Sequence, residues 1–116
     1  MTALDTGRLG ERAAERFLKQ NGCRILGRNY RAGRHEIDLI AEERATDMIV
    51  FAEVKTRAEG GYGRPMEAVD RNKQRFLRLA AETWIRENGA EERSARFDVI
   101  EVFLPSGRVN RIENAF

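Results

Sequence analysis

Met48-Ile49-Val50-Phe51-Ala52-Glu53-Val54-Lys55-Thr56 is an apolar, β-branched run with an acid and a lysine set into its second half. A run of this kind reads as a buried central strand. A shorter one, Glu36-Ile37-Asp38-Leu39-Ile40-Ala41, precedes it. The polar stretch 42–47 between them is short enough to make the pair a hairpin. Side chains alternate along a strand, so Glu36 and Asp38 share one face, and Glu53 and Lys55 share one face. Pairing lets these faces coincide, which would gather two or three carboxylates and one ammonium in a partly buried place.

Working outward, a first helix is expected from Gly7 to Asn21, capped by Asp5 and Thr6. Leu9, Ala13 and Phe17 recur at helical spacing, with Ala14 and Leu18 beside them, and Asn21-Gly22 is a usual ending. Cys23 to Tyr30 reads as a strand with imperfect alternation, and 31–34 as a turn. After the central strand, Ala58-Glu59-Gly60-Gly61-Tyr62-Gly63-Arg64 reads as a mobile loop. Pro65 suits the first turn of a helix running to about Asn88, with a break near Asp70. Val69, Phe76 and Ala80 share one face of it, close to Leu77, Ala81 and Trp84, and Gly89 stops it. Arg96 to Leu104 is a strand, 105–107 a turn, and Arg108 to Glu113 a last strand at an edge. The order α-β-β-β-α-β-β predicts an α/β fold, a mixed central sheet flanked by helices in a single domain, 1–116.

The bulk numbers set limits. With 116 residues, 41% hydrophobic and 34% charged, the chain suits one domain with a modest core. No stretch is long or apolar enough to span a membrane, and the charged opening segment, Met1 to Leu18, has no signal-peptide pattern. Cys23 is the single cysteine. These features lead us to expect a cytoplasmic protein with no membrane partner. A net charge of +2 and a pI near 9.0 allow a nucleic-acid partner without requiring one. Lysine occurs only at 19, 55 and 73, all other basic residues being arginine, so a lysine inside an apolar strand stands out.

Adjacent buried carboxylates repel, and each raises the other's pKa. A divalent cation relieves both penalties. Mg²⁺ takes a few carboxylate oxygens together with waters and substrate phosphate, and Asp38 and Glu53 can offer such oxygens. Lys55 can orient a water or balance developing negative charge. The plainer reading is an internal salt bridge between Lys55 and Asp38 or Glu53. Other chemistries find no support: the lone Cys and lone His are far apart in sequence, zinc spacing is missing, and the glycines match neither a P-loop nor a dinucleotide fingerprint.

Asp38…Glu53-Val54-Lys55 resembles the D…(D/E)-x-K signature of the PD-(D/E)XK nuclease superfamily. The chain is closer still to the YraN-like family of uncharacterised bacterial proteins, which are predicted endonucleases. The resemblance covers nearly the whole chain. It rests on Gly7-Arg8-Leu9-Gly10-Glu11 with Ala14, Asn29-Tyr30-Arg31, Glu36-Ile37-Asp38-Leu39-Ile40, Phe51-Ala52-Glu53-Val54-Lys55-Thr56-Arg57, Ala68-Val69, Lys73-Gln74, Arg96-Phe97-Asp98-Val99 and Ile112-Glu113-Asn114-Ala115-Phe116. A weaker likeness extends to archaeal Holliday-junction resolvases, which share a restriction endonuclease-like αβββαβ core.

The resemblance implies a Mg²⁺- or Mn²⁺-dependent endonuclease acting on duplex or branched DNA in repair or recombination. Asp38, Glu53 and Lys55 would be its catalytic residues, and Glu11, Asp38 and Glu53 its metal ligands. Glu11 leans toward the packed face with Ala14 and Leu18; its plain alternative is a surface acid favoured by the helix dipole. Glu36 can assist Asp38 or pair with Arg34. Gln74 can serve the site from the second helix or sit on a solvated face. His35 stands where the family usually has Gly; it can contact the scissile phosphate or be neutral to function. Arg57, Arg64, Lys73, Arg75 and Arg78, with Arg71, cluster around the glycine loop and the helix after it, and are expected to hold DNA phosphates. Tyr62 can stack on a base. Duplex cutting often takes two sites, which admits a homodimer. The rival reading is a non-catalytic nucleic-acid-binding or scaffolding protein with the same fold, and a third is a small partner module of a larger complex.

Overall fold

The structure is a computed structural model, and it describes residues 3–59 and 70–116. Its elements are α1 (Ala3–Gln20), β1 (Cys23–Ala32), β2 (His35–Glu43), β3 (Met48–Ala58), α2 (Arg71–Glu87), β4 (Ala95–Leu104) and β5 (Arg108–Ile112). The strands form one mixed sheet in the order β1-β2-β3-β4-β5. β3 and β4 are parallel and all other neighbours antiparallel. The α2 segment thus lies in the crossover that parallel pairing requires. This mixed sheet with its two helices agrees with a restriction-endonuclease-like core.

The sheet is covered on both faces. Ala14 and Leu18 of α1 pack with Leu39, Ala41, Val50, Ala52, Ile100 and Val102. Leu77, Ala80, Ala81 and Trp84 of α2 pack with Ile37, Ile40, Ile49, Phe51 and Val99. Residues 49–52 of β3 alternate between these two cores and are all buried, as the unbroken apolar run predicts for a central strand.

Several boundaries shift. Helix α1 already includes Asp5 and Thr6, so neither caps it. Its buried stripe is Gly10, Ala14 and Leu18, one position on from the expected one, and Leu9 is exposed. Strand β1 continues through Ala32, leaving only 33–34 as the turn. The break near Asp70 is the start of α2: the Asp70 carboxylate accepts from the Lys73 amide at 2.9 Å, as an N-cap does. Phe76 is not in the core. It lies beside the buried stripe 77-80-81-84 and stacks on His35 at 4.7 Å. The expected glycine loop at 60–64, Tyr62, Arg64, Pro65 and Val69 lie outside the described residues.

Candidate metal centre

β2 and β3 pair from Glu43↔Met48 to Leu39↔Ala52 and then part. Asp38 is the first residue of β2 past that point. In the gap the Val54 amide donates to Asp38 Oδ2 at 2.8 Å, so a carboxylate takes a bond that a strand carbonyl would otherwise accept.

Opposite Asp38 in β1 lies Asn29, whose backbone is left-handed at φ 49°. Asn is among the few side chains that tolerate this conformation. It breaks the strand's alternation. Arg28 reaches Glu15 on α1 at 2.5 Å, whereas Tyr30, two residues on, donates to Glu87 on α2 at 2.6 Å. β2 changes face at the same level: Leu39 packs under α1 and Ile37 under α2. The imperfect alternation read in β1 thus has two sources, this kink and a register shift between Ile25 and Gly27.

The kink brings acids together. The Asn29 side-chain amide donates to Glu11 at 2.6 Å and to Glu36 at 2.9 Å. Ligand oxygens of Glu11, Glu36 and Asp38 lie within 4.8 Å of one another. Glu11 reaches this place because α1 lies hard against β3 one residue earlier: a Cβ on Gly10 would be 2.1 Å from Thr56 Oγ1. Burial pushes the Asp38 carboxyl up to about 7, and the charges of Glu53, Glu11 and Glu36 add to this against the Val54 hydrogen bond. Negative charge is therefore undercompensated here. Three carboxylates, Glu11 from α1 and Glu36 and Asp38 from β2, fit a hard divalent cation.

Glu53 is not one of those three, though its charge acts on Asp38. It is 8% exposed, and its Oε1 accepts from the Lys73 ammonium at 2.7 Å. Its Oε2 is buried with no hydrogen-bond partner among the described residues. Burial opposes the Lys73 charge, yet the bond to Glu53, the charges of Glu53 and Asp38 and the neighbouring Lys55 hold its pKa above the ordinary value. The structure thus brings Glu11, Glu36 and Asp38 together, where the sequence pointed to Glu11, Asp38 and Glu53. The partner of Glu53 is Lys73 from α2, not Lys55. Lys55 is half-buried, in register with Glu101 of β4. Glu36 pairs with Arg31 at 3.6 Å, not with Arg34.

Of the basic residues expected to hold phosphates, Arg75 and Arg78 are exposed on α2. Arg57 is tied to the buried Glu101 at 3.1 Å, and Lys73 is drawn into the site. His35 does not take a positive φ; it opens β2 against Phe76. Gln74 is half-buried on α2. A cavity of about 370 Å³ beside the trio is lined by Arg8, Glu11, Arg12, Arg28 and Asn29, among others. Arg8 and Arg12 are exposed on α1. Asn29 and this pair of arginines were missed by the sequence reading. An Asn breaking a strand's alternation was the available signal for the first, and a basic i, i+4 pair flanking Glu11 for the second.

The model of the uncharacterised protein family UPF0102 matches residues 10–102. A UPF0102 protein of Rhodococcus jostii is 42% identical over 116 residues, 97% of each chain. One from Pelobacter propionicus is 44% identical, covering 97% of this chain and 82% of its own, and one from Alkaliphilus oremlandii is 45% identical, covering 95% and 96%. Among solved structures, Pyrococcus furiosus SfsA in complex with Ca²⁺ overlaps with a TM-score of 0.43 at 16% identity, over 92% of this chain and 63% of that one. That likeness is too loose to bear on function.

Proposed function

The chain belongs to the uncharacterised protein family UPF0102, and from its own site residues we propose a Mg²⁺- or Mn²⁺-dependent endonuclease that hydrolyses phosphodiester bonds in DNA. The observation that carries this reading is the convergence of Glu11, Glu36 and Asp38 oxygens within 4.8 Å, at a place where burial and then the neighbouring acids push the Asp38 carboxyl up to about 7. These three would hold the ion. When bound, it neutralises charge on the phosphate and makes a water more acidic. Asn29 fixes the Glu11 and Glu36 carboxylates, and the Val54 amide fixes Asp38. Lys55, on the same face of β3 as Glu53, supplies an ammonium to offset charge as water adds to phosphorus and the bond to the leaving oxygen breaks. Arg8 and Arg12, on the rim of the adjacent cavity, offer bidentate donors to a neighbouring phosphate, a role the exposed Arg75 and Arg78 share from α2.

The test is cleavage of duplex and branched DNA with Mn²⁺ by wild type, Asp38→Ala and Glu11→Ala, each checked for folding. Loss in both variants is expected; cleavage persisting in both would remove the assigned site. A second reading, a nucleic-acid-binding scaffold that does not cut, is favoured by the Lys73–Glu53 ion pair, which occupies one acid. It predicts DNA binding with no metal-dependent cleavage.

A further inference from the structure

Glu53 of β3 and Lys73 of α2, the helix of the β3–β4 crossover, form an ion pair at 2.7 Å. The pair is built, not casual. Asp70 caps α2 by accepting from the Lys73 amide through its side chain at 2.9 Å and from the Gln74 amide through its carbonyl at 2.9 Å. That fixes the backbone from which Lys73 extends. Glu53 is nine-tenths buried, and among the described residues only one of its two oxygens has a hydrogen-bond partner. A half-satisfied buried carboxylate keeps strong affinity for a further cation.

The choice of lysine is informative. Eighteen of the 21 basic residues are arginines, yet the cation paired with Glu53 is a lysine, Lys73. Arginine presents a planar fork, whereas lysine presents a compact point charge, the closer likeness to a metal ion. Lys73 also feels the charge of Asp38, so its ammonium is within electrostatic reach of both acids. The Lys73 side chain keeps 29% of its surface exposed, so solvent reaches it.

We propose that the Lys73 ammonium fills a second cation position, at Glu53, and thereby limits the site to one divalent ion. The inference rests on the reading that Glu11, Glu36 and Asp38 hold the first ion. Lys73 is then a positioning residue that stands in for a second metal.

Calorimetric titration of the full chain with Mn²⁺ alone tests this in wild type, Lys73→Met, Lys73→Gln and Lys73→Met/Glu53→Gln, each first shown to be folded by circular dichroism. One ion per chain is expected in wild type, two in either single variant, and one again in the double variant. Unchanged stoichiometry and affinity in both single variants would overturn the proposal, as would two ions in wild type; either result leaves the trio's ion in place. No ion in wild type would instead overturn the underlying metal reading, and this inference with it. Should Lys73→Met fail to fold, Lys73→Gln, which keeps a donor toward Glu53 Oε1, carries the comparison.

Discussion

The Val54 amide is hydrogen-bonded to the Asp38 carboxylate at 2.8 Å, where β2 and β3 have ceased to pair. The same carboxyl is pushed up to about 7 by burial and by Glu53. An acid whose pKa is raised by folding favours the folded state while it is protonated. That contribution is full below the ordinary value of 3.8 and is lost as pH rises through about 7. Each pH unit between the two corresponds to about 1.4 kcal/mol. In metal-free protein, Asp38→Asn keeps an acceptor for Val54 and removes the charge. Urea unfolding is expected to show little change at about pH 4 and a gain of up to ~4 kcal/mol at about pH 8. An equal effect at both pH values would contradict the assignment.

Asn29 has two separable roles, a left-handed backbone and a bridge between Glu11 and Glu36. Asn29→Gly retains the first and loses the second, whereas Asn29→Ala loses both. Stability within about 0.5 kcal/mol of wild type is expected for the glycine variant, and a loss of ~1–2 kcal/mol for alanine. Both variants are expected to bind Mn²⁺ more weakly. Equal stability of the two would show that the backbone conformation is of no consequence.

Gly10→Ala sets helix propensity against packing. Alanine in a helix gains about 1 kcal/mol over glycine, but its Cβ would meet Thr56 Oγ1 at 2.1 Å. Overpacking of this kind costs ~1–3 kcal/mol. Net destabilisation is expected by chemical denaturation, with partial recovery in Gly10→Ala/Thr56→Ala. A more stable Gly10→Ala protein would mean α1 is not pressed on β3.

On β4, beside Ala52 in the sheet register, Arg96 pairs with the fully buried Asp98 at 2.9 Å, and Asp98 also accepts from the Asn114 amide at 3.0 Å. Arg96→Ala leaves a buried carboxylate without its cation and is expected to cost ~3–5 kcal/mol. Mn²⁺ affinity of the folded fraction is expected to stay unchanged. A matching loss of affinity would tie the metal centre to global stability.

The strands were legible because their apolar and β-branched runs are long, and the carboxylates were conspicuous because they interrupt those runs. The grouping of the acids was not legible. Strict alternation puts Leu39 and Ile37 on one face, but a single left-handed Asn29 in the neighbouring strand reverses it. Lys73 was read with its neighbours as a cation for DNA phosphates because nothing local to its helix reveals Glu53, twenty residues away. Leu9 and Phe76 were misplaced for a simpler reason. Each lies one position from the true buried stripe, a rotation that hydrophobic spacing alone does not resolve.

Anomalous X-ray scattering from Mn²⁺-soaked crystals bears most directly on the metal centre. A peak within coordination distance of Glu11, Glu36 and Asp38 is predicted, present in wild type and missing in Asp38→Asn. A saturating soak that leaves no peak at those three carboxylates would contradict it.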